Sequence, residues 1–169
     1  MQDDSDFCEL ARGLYQTKNC EIHHIMSARM STYAAGGNYR IELVRTIAWL
    51  RVWQRPDLTR EQGADLAREK VDILRRLAAG PRSMAKALLM DLRAAPRSWG
   101  PVTQEALFEI LAAWELAERR VGILLASDPV QDVLMRPTMK RAAPAMGRIF
   151  GVEADALDYC IVGRVPSGE

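Results

Sequence analysis

The residues best suited to chemistry stand early in the chain, in Cys20-Glu21-Ile22-His23-His24. If residues 20 to 30 are helical, Cys20 and His24 lie one turn apart on one face, and His23, Met26 and Met30 share another. Thiolate, imidazole and thioether together suit Zn or Cu(I). A zinc site takes three or four protein ligands, so the rest would have to come from Cys8, Cys160 or a carboxylate brought in by folding. The chain has 2 histidines, so imidazole acid–base chemistry would have to use His23 or His24.

A second candidate is Glu118. From Thr103 to Ser127, Leu107, Ile110, Leu111, Trp114, Ala117, Val121, Leu124 and Leu125 recur at spacings of three and four, the period of a helix face. Phe108, Ala112, Leu116 and Ile123 add a second strip. The spacing predicts a long central helix, capped by Thr103 and closed at Asp128-Pro129. Glu118 falls on its apolar stripe, between Trp114 and Val121. A carboxylate placed there needs a raised pKa or a cation such as Arg29, Arg45 or Arg51. It is a candidate general base or ligand holder, and an ion-pair role is favoured over either.

Near the C-terminal end, Met146-Gly147, Phe150-Gly151-Val152, Leu157 and Cys160-Ile161 form a third constellation. Gly147 would permit close helix approach and Gly151 a left-handed turn. The pattern, within residues 142–164, is similar to the core of a helix-turn-helix unit, and that resemblance implies DNA binding. Lys140, Arg141, Arg148 and Arg164 would then meet phosphates. The segment in the position of a recognition helix, Glu153 to Tyr159, carries three acids and none of the Arg, Lys, Asn or Gln that read base edges. A tight helical corner that packs is therefore the favoured outcome.

Fourth, Trp49 and Trp53 stand four residues apart, with Arg45, Arg51 and Val52 close by. Trp and Arg are enriched at binding hot spots. The segment from Tyr39 to Gln54 is apolar nearly all round, which predicts a helix that is buried or is half of an interface.

Composition narrows the classes. The chain has 169 residues, 49% hydrophobic and 27% charged, with a net charge of +1. That balance argues for one soluble domain and against a global electrostatic attraction to nucleic acid or membrane. The 3 cysteines are too few for a disulfide framework. The first residues, MQDDSDF, are acidic and lead into no secretory signal, and no apolar run reaches the ~18 residues of a spanning helix. A cytoplasmic protein is expected. P-loop, GxGxxG, GxSxG, HExxH and paired ExxH patterns are missing from the sequence, which lowers the expectation of catalysis.

Helix punctuation is plentiful. Residues 4 to 35 read as one or two helices ending at Gly36-Gly37. Thr59 with Gln62 forms a capping box that opens an amphipathic helix to about Ala79, closed by Gly80-Pro81. Ser83 to Ala95 reads as a short helix, Asp128-Pro129 as the start of another to Arg136, and 145–150 and 154–161 as a final pair. The expected fold is all-α: one domain over residues 1–169, a bundle of about five to eight helices without a significant sheet. Residues 1–4 and 164–169 are expected to fray.

The leading functional expectation is a non-enzymatic regulatory or adaptor protein that works by helix-mediated contact. It would be a homodimer through 39–54, with Trp49, Trp53, Arg45 and Val52 at the interface. The second is a DNA-binding regulator using Lys140, Arg141, Arg148 and Arg164. The third is a metal- or cofactor-binding helical protein through Cys20, His23 and His24.

Overall fold

The computed structural model describes residues 30–164, which form a six-stranded mixed sheet with four helices. In chain order these are β1 (Ser31–Gly36), β2 (Tyr39–Val44), β3 (Ile47–Trp53), α1 (Arg60–Ala79) and β4 (Ala87–Ala94). There follow α2 (Pro101–Leu116), β5 (Arg120–Leu124), α3 (Pro129–Ala142), β6 (Gly147–Phe150) and α4 (Glu153–Val162). The strands lie side by side in sequence order. β1, β2 and β3 form an antiparallel meander, and β3 to β6 run parallel. Crossovers of one hand between successive neighbours put α1, α2 and α3 on the same face of the sheet. There Leu74, Leu77, Leu111, Trp114 and Met135 join Leu50, Leu88 and Ile123 in the main core. α4 covers the other face, where Leu157, Tyr159 and Cys160 meet Trp49, Leu89 and Phe150.

The all-α expectation is overturned, and the reason is burial. A strand covered on both faces reads as a continuous apolar run without alternation, which periodicity cannot separate from a buried helix. Segment 39–54 is such a case. It is β2 and β3 in register, with Ile41 opposite Leu50 and Leu43 opposite Ala48. Arg45 turns between them at φ 55. The expected helix from Ser83 is β4, whose first six residues are all buried.

The central helix of 103–127 is two elements. α2 starts two residues before Thr103, with Gly100 as N-cap and Pro101 in its first turn, and ends at Leu116. The chain then turns through Glu118, at φ 53, into β5. The last part of the helix expected over 4–35 is β1, and the short helix over 145–150 is β6. Gly36 and Tyr39 pair across a two-residue Gly37-Asn38 turn, a hairpin signal that the sequence does contain.

The helix-turn-helix resemblance fails for the same reason, since 142–164 is the end of α3, a strand and then α4. Gly147 is needed for close approach, but of a strand to a helix: a Cβ there would collide with the Met139 sulfur and the Ala143 carbonyl. The left-handed glycine is Gly163, at φ 83, and not Gly151.

The caps expected at Thr59 and Asp128 are present, whereas Thr103 is not an N-cap and Ser83 opens no helix. Thr59 Oγ1 accepts from the Gln62 amide and Gln62 Oε1 from the Thr59 amide, closing the capping box of α1. Asp128 caps α3 through the Val130 amide, with Pro129 in the first turn. α3 continues through Pro137, however, to Ala142.

The C-terminal end of α1 is held by a buried cation. Arg119 is 5% exposed and donates to the carbonyl oxygens of Leu77 (2.9 Å), Ala85 (2.6 Å) and Gly80. One guanidinium thus satisfies carbonyls that the end of a helix and the following turn leave open.

Candidate functional site

An apolar cavity opens at the carboxyl ends of β3 and β4, under the first turns of α1 and α2. In a parallel sheet this is where ligands are bound, because the loops leaving the strands diverge there. The volume is about 330 Å³, at the small end of the ~300–1,000 Å³ typical of small-molecule sites. Its floor is Leu50, Met90 and Leu92 from the strands, and its walls are Ala67 from α1 and Ala106, Leu107 and Ile110 from α2. All of these are buried. Arg55, Thr59, Arg60 and Ser98 form an exposed polar rim, and Trp99 stands half-buried beside it.

One charged group reaches this lining from inside. Lys70, in the second half of α1, is 8% exposed. Its Nζ donates to Asn38 Oδ1 at 3.1 Å and lies 4.9 Å from the centre of the Tyr39 ring. The hairpin turn positions both partners, and Arg55 steadies that turn by donating to the Gly37 carbonyl at 2.8 Å. Burial pushes the Lys70 ammonium down to about 8, while the neighbouring Glu69 carboxylate works in the opposite direction. Burial, followed by Glu69, holds the Tyr39 hydroxyl well above the usual phenol range, so the ring stays neutral.

Asn38 is the one hydrogen-bond partner of Lys70 among the described residues. An ammonium has three N–H donors. Two have no acceptor among the described residues.

Lys70 escapes a reading by residue class but not by spacing. It stands three residues after Ala67 and four before Leu74, on the apolar arc of α1, the same signal that singled out Glu118. Glu118 itself is not buried: its side chain is 78% exposed and lies 3.7 Å from Arg82 in an open ion pair. The helix that would have carried it inward ends two residues earlier.

The residues expected at an interface separate. Trp49 is 2% exposed, in the core beneath α4, with the Arg51 guanidinium 4.2 Å above its ring. Arg51 is held in turn by Glu42 at 2.6 Å. Val52 lines the cavity, Trp53 ends β3 half-buried, and Arg45 is exposed at the turn.

Lys140 and Arg141 lie exposed in the last turn of α3, and the Arg141 guanidinium stands 5.4 Å over Phe108. Arg148, on β6, donates to the carbonyls of Gly147 (2.6 Å) and Ala145 (3.3 Å). Arg164 follows Gly163. Cys20, His23 and His24 lie outside the described residues, as does Cys8.

Cys160 is buried, and its thiol donates to the Leu88 carbonyl at 3.6 Å, away from any surface. Among the described residues no three His, Cys, Asp or Glu side chains gather as metal ligands. Also among them, no helix is long and apolar enough to cross a membrane. Comparison with protein families, with curated proteins and with solved structures finds no match to this chain.

Proposed function

We propose that the protein binds a small, mostly apolar molecule in this cavity, with one acceptor-bearing end on Lys70. A single observation carries the reading: a buried lysine with one side-chain acceptor among the described residues lines a mostly apolar pocket. Desolvating an ammonium is costly unless its N–H groups are matched. A ligand acceptor would offset that cost, and the aliphatic wall would select the rest of the molecule by burying it, at ~25 cal/mol per Å² of apolar surface. The premise for a contact protein, a surplus of apolar surface in 39–54, is weakened because β2 and β3 are central strands.

Calorimetry with 1-octanol and octanoate tests the reading. Both should bind the intact chain. Ala106→Trp, which fills the cavity from α2, should abolish binding of both. Lys70→Met should weaken both about tenfold, the equivalent of one hydrogen bond to a charged donor. Equal binding by the wild-type protein and by Ala106→Trp would overturn it.

A further inference from the structure

Resting on that reading, we propose that Lys70 captures its ligand covalently, condensing reversibly with the aldehyde or ketone carbonyl of an apolar molecule. The match lies in the count of N–H groups. Among the described residues Lys70 has one side-chain acceptor, Asn38 Oδ1 at 3.1 Å, and one neutral ring face, Tyr39 at 4.9 Å. A free ammonium brings three donors to that single acceptor. A protonated imine brings one N–H, for Asn38, and a delocalised cation to lie over the Tyr39 ring. The product is therefore better satisfied by these walls than the free amine is.

The surroundings also favour a neutral ligand. The buried part of the lining is apolar, with Leu50, Ala67, Met90 and Ile110, while Arg55 and Arg60 stand at the exposed rim. A carboxylate would have to be stripped of water together with the ammonium, and the ion pair recovers that cost only with excellent geometry and further hydrogen bonds. A carbonyl compound enters uncharged. No carboxylate lies within ion-pair distance of Lys70 among the described residues, so the amine is not locked as a cation. Burial lowers its basicity to about 8, which leaves about one amine in ten neutral at pH 7, against fewer than about one in a thousand for an ordinary lysine.

The chemistry balances without an oxidant or reductant. The Nζ lone pair attacks the carbonyl carbon, a C–N bond forms, and the oxygen takes up a proton to give the carbinolamine. The nitrogen pair then expels that oxygen as water. Amine plus carbonyl becomes imine plus water, and added water reverses it.

The test is treatment of the full chain with octanal and sodium cyanoborohydride, which fixes an imine as a stable secondary amine, followed by intact mass and peptide mapping. One reduced octyl group should appear at Lys70, at least about tenfold faster than at Lys86 or Lys140, as expected of a desolvated lysine. Its rate should rise with pH to a midpoint near 8. Octanol should slow it by competition. Lys70→Arg, which keeps the charge and cannot form an imine, should give no adduct at that position, while Asn38→Leu should slow it in a folded chain.

Modification of Lys70 no faster than of Lys86 and Lys140 would overturn the proposal. If octanol binds the wild type and not Ala106→Trp while Lys70 stays unmodified, covalent capture fails and the cavity reading stands. If octanol does not bind either, both fail. Should Lys70→Arg not fold, competition by octanol on the wild-type chain decides.

Discussion

Lys70 and Asn38, 32 residues apart in the chain, meet at 3.1 Å where the β1–β2 hairpin turn reaches over the middle of α1. The contact ties the antiparallel end of the sheet to the first crossover helix, beside a mostly apolar cavity that Lys70 helps to line. It also has a stability cost that pH should reveal.

Burial lowers the folded Lys70 ammonium to about 8, from the ordinary lysine value of 10.5. The unfolded chain therefore binds more protons between those values, and this group makes stability rise with pH across that window. Below pH 8 the penalty is fully present; above 10.5 it is gone. The difference corresponds to roughly 3 kcal/mol. Lys70→Met should accordingly be more stable than wild type at pH 7, by about 1 kcal/mol after loss of the Asn38 bond and the Tyr39 contact. The difference should change sign between pH 8 and 10, with the wild type the more stable at pH 10. Urea unfolding of both proteins from pH 6 to 10 measures it, and a constant difference would contradict the assignment.

Arg119 should be the most sensitive charged position in the described fold. Arg119→Met leaves the carbonyls of Leu77, Gly80 and Ala85 without their shared donor. A loss of about 3 kcal/mol is expected, the scale of breaking a buried hydrogen-bond network. Arg119→Lys should recover less than half, because a point charge cannot span three acceptors as a planar fork does. Chemical denaturation at neutral pH compares the three.

Gly147→Ala should cost about 1–3 kcal/mol by overpacking β6 against the end of α3. Gly151→Ala, with open space around the new Cβ, should change stability by less than about 0.5 kcal/mol. The contrast between these two thermal midpoints is the measurement.

Cys160 should be silent to thiol reagents in the folded protein. Burial pushes its thiol up to about 12, and the thiolate is the reactive form. In a Cys8→Ser, Cys20→Ser background, the colour yield with a disulfide reagent should remain near zero until denaturant unfolds the chain. By the same linkage, a raised folded pKa makes this group reduce stability as pH climbs above about 9, the ordinary thiol value.

Gln131 is 1% exposed and donates to the carbonyls of Leu92 (3.2 Å) and Ala95 (3.4 Å), fixing the end of β4 against α3. These carbonyls begin the loop that forms one side of the cavity. Gln131→Leu should therefore weaken octanol binding several-fold, for a stability loss of about 1–2 kcal/mol. Unchanged affinity by calorimetry would show that the loop is held by other contacts.

What could be read from the residues alone was local and punctuated. The Thr59–Gln62 box and Gly80-Pro81 announce the two ends of α1, and Asp128-Pro129 the start of α3, because caps act over three or four residues; the helix expected to close at Asp128-Pro129 ends at Leu116. The runs Ile47–Leu50, Ala87–Leu92 and Val121–Leu124 announce only that they are buried. A central parallel strand and a core helix both need apolar side chains all round, so their element type rests on hydrogen bonds to neighbours distant in sequence. Lys70 shows the same division: its place on the apolar arc of α1 is legible, and it marks a polar group that needs a partner. That the partner is Asn38, and that an aliphatic cavity opens beside them, depends on β2, β3, β4 and α2 arriving from up to 40 residues away. Long-range pairing decided it, and pairing is invisible to any window along the chain.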